Sequence, residues 1–327
     1  MIWLASYPRS GNTFFRNVLY AVYGLESSTY RLRRQDKHAD FQDYPVVKTH
    51  LAPEQLPKAI RNYPAVYLIR DGRDAIVSSA HRRRDMVKQG SDFYLNMLYA
   101  ILAKEGAFFG GWSHNVSAWT ARANLCIYFK DLIADPIREI EKLRTILPLP
   151  EPRMDKLPSF ADLKAGKGRY QGGRKADKAQ KFFRSGKRGG WRQEMPEELH
   201  LLFWDLHGEA MVAHGFTEGQ PPPLTDADRQ ALAQRIIRTI QARPDADKLQ
   251  NELAPAMPFL LQYGRQKGVP KYYTYEHVLL SINTGLQRLL PKAAYTAVQR
   301  SVQRLALPKL LAHLRRKINS SKLRKLK

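Results

Sequence analysis

Four short apolar runs, each ending in polar or charged residues or a turn, constrain this chain more than any other feature of its sequence. Ile2 to Ser6, Val46 to Thr49, Ala65 to Ile69 and Leu125 to Phe129 have the length and character of strands. Segments with a helical pattern follow three of them, at Phe14 to Tyr23, Asp74 to Arg83 and Asp131 to Leu147. Strands alternating with helices read as βαβ units, which assemble into a parallel sheet covered on both faces. The expected fold class is therefore α/β, three layers with a central parallel sheet flanked by helices. Such sheets bind ligands beyond the carboxyl ends of their strands, and the charged motifs of this chain lie at those ends.

The second half of the sequence changes character. Lys164 to Arg192 holds eleven Lys or Arg, one acid (Asp177) and several glycines, the composition of a mobile cationic lid. Leu199 to Ala213 resumes a helical pattern. Pro221, Pro222 and Pro223 then mark a break, because proline lacks an amide donor and stiffens the chain. The expected division is a first domain over 1–219 and a mostly helical, basic extension over 220–327, with a helix from Asp226 to Arg243. From His277 onward there are twelve Lys or Arg and no acid. Leu286, Leu289, Leu290, Ala293, Ala297, Val298, Val302 and Leu305 recur there at helical spacing, so the tail reads as a packed helix or as an attachment to an anionic membrane surface.

The first strand runs into Ser6-Tyr7-Pro8-Arg9-Ser10-Gly11-Asn12-Thr13 and then into a helix. Such a turn aims free backbone amides, at the positive end of a helix dipole, toward one point. Gly11 permits close approach of a ligand to the backbone, and Ser10, Asn12 and Thr13 add polar side chains. A Walker A loop reads GxxxxGK[ST]. Gly11 and Thr13 fit it, but Ser6 replaces its first glycine and Asn12 its lysine, while Arg9 places a cation inside the turn.

Tyr7-Pro8-Arg9-Ser10-Gly11-Asn12-Thr13 resembles the 5′-phosphosulfate loop of the cytosolic-type sulfotransferase family, usually written YPKSGTT. Three further segments are similar to that family, in its order. Val47-Lys48-Thr49-His50 resembles the segment that carries the catalytic base. Tyr67 to Ser79 resembles the 3′-phosphate segment, in which an arginine and a serine eight residues later, here Arg70 and Ser78, hold the phosphate. Phe183-Arg184-Ser185-Gly186-Lys187-Arg188-Gly189-Gly190-Trp191-Arg192 resembles the late RKGxxGDWK segment. The resemblance covers about residues 2–215 and implies a P-loop-like fold.

It also implies 3′-phosphoadenosine-5′-phosphosulfate (PAPS) as co-substrate, with no metal. His50 would act as general base, and Lys48 and Arg9 would stabilise the leaving group. Arg9, Ser10, Gly11, Asn12, Thr13, Phe14, Arg70, Ser78, Phe183, Arg184, Ser185 and Gly186 would bind the nucleotide. Three positions depart from the family. Arg9 stands where a lysine is usual and cannot hand on a proton. Ser185 replaces a lysine. Phe14 replaces a tryptophan but can still stack on adenine. The family's dimerisation motif is not recognisable in Arg192 to Glu198.

Charge alone chooses no partner. Lys plus Arg number 54 against 30 acids, a net charge of +24 that favours anionic partners of any kind. Two other function classes stay open, a P-loop nucleotide phosphotransferase and a non-catalytic polyanion-binding protein. The missing Walker lysine speaks against the first. For nucleic acid, the basic residues form no reading motif. No Cys/His cluster has metal-ligand spacing, and the one cysteine, Cys126, reads as a small strand residue. Met1 to Ala5 is too short for a signal h-region and no run reaches membrane-span length. The expected location is cytoplasmic, peripheral to a membrane if the tail attaches; the acceptor is not legible.

Overall fold

The computed structural model describes residues 1–31, 41–102, 111–170, 176–184, 186, 188–253 and 256–263. Among them β1 (Ile2–Ser6), β2 (Ser27–Thr29), β3 (Val46–Thr49), β4 (Ala65–Ile69) and β5 (Leu125–Tyr128) form one sheet. Its order is β2-β3-β1-β4-β5 and every pairing is parallel. The helices are α1 (Asn12–Tyr23), α2 (Gly72–Arg82), α3 (Phe93–Leu102), α4 (Trp112–Thr120), α5 (Phe129–Ala134), α6 (Pro136–Glu141) and α7 (Phe160–Lys164). They continue as α8 (Ala176–Phe182), α9 (Trp191–Glu194), α10 (Glu197–Ala213), α11 (Asp226–Gln241), α12 (Ala246–Leu253) and α13 (Met257–Tyr263).

β1, β3 and β4 are buried on both faces, and their alternation divides the core in two. Ile2, Leu4, Val46, Val66, Leu68 and Ile127 face one way and pack with Phe15, Val18, Leu19 and Val22 of α1 and with Leu132 and Ile140 of α5 and α6. Trp3, Ala5, Val47, Ala65, Tyr67 and Ile69 face the other way, toward α2, α3, α4 and α10. The result is the expected three-layer α/β sandwich. Trp112 and Trp119 are fully buried in the second core. Cys126 is half-buried in β5.

Two expectations need correction. The single helix read over Asp131–Leu147 is instead α5, α6 and a 3-10 turn at Lys142–Thr145. Pro136 has no N–H to continue a helical ladder, and the Asp135 carboxylate accepts the Arg138 N–H at 3.0 Å, restarting the helix. The strand read through Phe129 ends at Tyr128, and Phe129 opens α5.

The proline run does not detach α11 and α13 from the core. Leu232, Ile236 and Ile240 of α11 and Leu260 of α13 join the same cluster as Leu199, Leu202 and Phe203 of α10. Asp205 of α10 accepts from Arg229 at 2.8 Å and from the Tyr263 hydroxyl at 2.7 Å. The chain divides into units 1–274 and 275–327. The second unit, and with it the basic tail, lies outside the described residues. Among the described residues no helix is long and apolar enough to cross a membrane.

Candidate active site

β1 sits between β3 and β4. The chain leaves β1 for α1 on one face of the sheet and leaves β4 for α2 on the other. The crevice between those exits is a topological switch point, where open α/β sheets bind ligands. Ser6, Thr49 and Ile69 end the three central strands, so the turn at 7–11, His50 and Arg70 converge there.

The turn is built for a close approach. Arg9 has φ 70° and Gly11 has φ 92°, both left-handed. A Cβ on Gly11 would lie 2.7 Å from the Phe129 ring, so no other residue fits without displacing α5. Gly11 caps α1 with no side-chain acceptor, which leaves the first-turn amides for a ligand. The Ser10 hydroxyl is buried with no hydrogen-bond partner. Asn12 spends its amide hydrogens inside the protein, on the Leu4 carbonyl at 3.1 Å and Ser6 Oγ at 3.2 Å. Its side chain therefore fixes the turn, and its remaining Oδ1 has no partner. Thr13 is buried, and Phe14 is half-buried against the α1-side core.

Arg9 ties the expected residues together. Its Nε donates to Ser78 Oγ at 2.9 Å and its terminal nitrogen to the Phe182 carbonyl at 2.6 Å, with the guanidinium 4.2 Å from the Phe182 ring centre. Arg70 donates to the Arg9 carbonyl at 2.9 Å and lies over the Phe129 ring at 4.5 Å. Burial, followed by Arg70, Arg82 and Arg184, pushes the Arg9 pKa down to about 9. It still carries its proton at neutral pH.

α2 can start close beneath Arg70 because Gly72 lacks a side chain: a Cβ there would lie 2.5 Å from Phe203 and 2.7 Å from Trp112. Trp112 Nε1 then donates to the Arg70 carbonyl at 3.1 Å.

His50 comes directly after β3. Its Nδ1 lies 2.7 Å from the Ser6 carbonyl. A carbonyl only accepts, so Nδ1 bears the proton and the neutral ring keeps its lone pair on Nε2. Burial, then the Lys48 charge, hold the His50 pKa well below its usual value; the Ser6 bond opposes them, and Arg31 and Arg82 add to them. Lys48 is buried. Its pKa is pushed well below the ordinary lysine value by burial and then by Arg16, Arg31, Arg82 and Arg9.

The late segment meets the same site. Phe183 is buried edge-on to Phe160 at 5.9 Å, and Gly186 lies against the Phe160 ring. Arg184 pairs with Glu194 at 2.9 Å. Ser185 lies outside the described residues. Three contributors are not singled out by the sequence reading. Asp74 accepts the amides of Gly189 at 2.9 Å and Trp191 at 3.3 Å and lies 3.8 Å from Arg70. Phe129 walls the turn. Phe160 is an exposed aromatic beside Phe183 and Gly186. The capping pair Ser159–Asp162 is the signal that marks a helix start at Phe160. Among the described residues no group of three or more His, Cys, Asp or Glu could hold a metal ion.

Comparison with known proteins identifies the family. The sulfotransferase domain model matches residues 1–214. The chain is 24% identical over 242 residues to sulfotransferase 1E1 of Mus musculus, covering 64% of this chain and 82% of that protein. It is 25% identical over 260 residues to flavonol 3-sulfotransferase of Flaveria bidentis, covering 65% and 82%. The crystal structure of mouse sulfotransferase SULT7A1 complexed with PAP shares the fold, with a TM-score of 0.51, 20% identity and coverage of 64% and 84%. This chain belongs to the sulfotransferase family and is a sulfotransferase enzyme.

Proposed function

We propose that the enzyme moves a sulfuryl group from PAPS to a hydroxyl or amine, with His50 as general base. The observation that carries this reading is the uncapped start of α1, with its buried and unpartnered Ser10 hydroxyl, meeting the linked group of Arg9, Arg70 and Ser78. One end suits a 5′-phosphosulfate and the other a 3′-phosphate. The amides of the first turn of α1, with Ser10 and Thr13, would hold the former. Arg70, Ser78 and Arg184 would hold the latter, and Phe160 offers an aromatic face for the base.

The donor supplies an activated sulfuryl group: the acceptor–sulfur bond forms as the bond from sulfur to the bridging oxygen breaks. His50 Nε2 takes the acceptor proton, and the Ser6 carbonyl steadies the ring through Nδ1 as its charge appears. Arg9, Lys48 and the loop amides would stabilise the bridging oxygen, which leaves with the electron pair. Arg9 acts there as a fixed charge, not as a proton donor.

Donor binding is tested by melting temperature. At 100-fold excess over Kd a ligand adds about 2.7 kcal/mol, a rise of roughly 5–10 °C for a domain of this size. That rise is expected with 3′,5′-bisphosphoadenosine in the absence of metal. A larger rise with ATP and magnesium, and none with the bisphosphate, would turn the reading toward a phosphotransferase.

The pH dependence is set by His50. The active form is the neutral ring, and the lowered pKa keeps that form populated through neutral into mildly acidic pH. The acid limb of kcat/KM for the donor is expected below pH 6.5, with activity falling as pH drops through the folded-state pKa. A limb at or above the model-peptide value of ~6.5 contradicts the assignment.

A further inference from the structure

Of the three side chains read above as holding the 3′-phosphate, Arg184 has the least support from its own stretch of chain. Arg70 ends a central strand and Ser78 sits within α2, but Arg184 follows α8 in a glycine-rich stretch, and its side chain is 37% exposed. A long side chain so placed samples many rotamers and loses them on binding. Contacts from outside the stretch limit that freedom. The Phe182 carbonyl, two residues back, accepts from Arg9 at 2.6 Å. The Arg184 guanidinium pairs through one terminal nitrogen with Glu194 Oε1, at the end of α9, at 2.9 Å.

Glu194 is itself held. Its Oε2 accepts from His81 Nε2. Arg84 fixes the direction of that bond by donating to His81 Nδ1 at 3.0 Å. A guanidinium only donates, so Nδ1 carries no proton and Nε2 carries it. Phe93 lies against the imidazole at 4.4 Å, and Asp85, 4.0 Å from Nδ1, is engaged by Arg84 at 2.8 Å. Burial opposes the charge on Glu194, but the bonds from His81 and Arg184 outweigh it and keep its pKa below the usual carboxylate value. His81 lies one turn beyond Ser78 on α2 and shares its face. The path from α2 through His81 and Glu194 thus brings Arg184 back to the helix that carries Ser78. A Cβ on Gly190 would lie 3.7 Å from Glu194 Oε1 and 4.0 Å from Asp74 Oδ1, so the two carboxylates flank one turn. Asp74 fastens its backbone, and Glu194 fastens the arginine that precedes it.

We propose that Glu194 is a positioning residue of the donor site: seated on His81, it holds Arg184 against α2 so that the 3′-phosphate meets a preformed cation. The inference rests on the sulfuryl-transfer reading, in which Arg184 contacts that phosphate. Charge alone would give the opposite effect. A carboxylate near a bound phosphate repels it, so neutralising Glu194 would strengthen binding unless its main effect is to order Arg184.

The experiment is calorimetry on the full chain with 3′,5′-bisphosphoadenosine and with 5′-AMP, and the readout is the ratio of the two affinities. Binding of 5′-AMP, which lacks the 3′-phosphate, reports an intact fold. Glu194→Gln is expected to lower the ratio roughly 3–10-fold, the effect of having to order one long side chain at each binding event. Glu194→Asp keeps the charge but is one methylene too short to span both partners, and should lower it too, as should His81→Ala. Arg184→Gln should lower the ratio at least as far. In that background Glu194→Gln and His81→Ala should change nothing further, because a residue acting through Arg184 has nothing left to position. Glu26→Gln, the same change at an exposed carboxylate paired with Arg169, should leave the ratio intact. A Glu194→Gln protein that no longer binds 5′-AMP passes the decision to Glu194→Asp, read in the same way. An unchanged or higher ratio, an effect that persists without Arg184, or an Arg184→Gln protein with the native ratio overturns the positioning role, while the native preference for the bisphosphate leaves the donor site standing. If the native protein shows no such preference, the 3′-phosphate assignment falls and takes this proposal with it.

Discussion

Replacing His50 with alanine is expected to lower kcat by about 10²–10⁴-fold, the loss typical of a missing general base. Affinity for 3′,5′-bisphosphoadenosine should stay close to that of the native enzyme, because the ring bonds to Ser6 and not to the loop amides that would hold the nucleotide. His50→Asn separates base from scaffold. Its amide can still donate to the Ser6 carbonyl, but it offers no basic nitrogen where Nε2 stood, so turnover should stay as low as in the alanine variant. Single-turnover measurement with a labelled donor reads the chemical step directly. Near-native turnover in either variant, with chemistry limiting, would mean that another group takes the proton.

Arg70→Ala is expected to erase the enzyme's preference for 3′,5′-bisphosphoadenosine over 5′-AMP. A charge-assisted hydrogen bond contributes about 1.5–3 kcal/mol, which corresponds to roughly 10–150-fold in affinity. The side chain lies where it can be aimed. Its strand end is fixed by Trp112, its guanidinium rests on Phe129, and Asp74 lies 3.8 Å away. Arg70→Lys keeps the charge without the fork and should retain part of the preference. Equal affinity of the native enzyme for both nucleotides would remove Arg70 and Ser78 from the 3′-phosphate site.

What could be read in advance was local. β1, β3 and β4 carry their meaning in short apolar runs, and the turn after β1 carries its own in proline, glycine and polar residues. β2 escapes that reading because Ser27-Ser28-Thr29 is polar and three residues long; Arg16 and the Tyr170 hydroxyl satisfy its polar groups from elsewhere in the chain. α3 escapes it for the opposite reason, since Phe93–Leu102 is apolar on nearly every side. At the site the residue types were legible and their partners were not. That Arg9 would reach both Ser78 and Phe182, or that Asp74 would bind Gly189 and Trp191, is decided by strand order and helix packing. Neither leaves a mark on nearby sequence. The His50 tautomer is of the same kind, because it depends on the Ser6 carbonyl at the end of the neighbouring strand, far back along the chain.

The position of β1 has a consequence for how the protein is made. It precedes both of its partners in the chain, yet it is the middle strand, with β3 on one edge and β4 on the other. A ribosome adding roughly 5–20 residues per second releases an apolar strand that has nothing to pair with until residues 46–49 and then 65–68 have emerged. For those seconds the backbone of Ile2–Ser6 offers two bare edges, and the turn that follows it has no walls. The crevice at the carboxyl ends of the central strands is therefore assembled late, from pieces that emerge at different times, and the nascent chain is most open to mispairing before β4 joins the sheet.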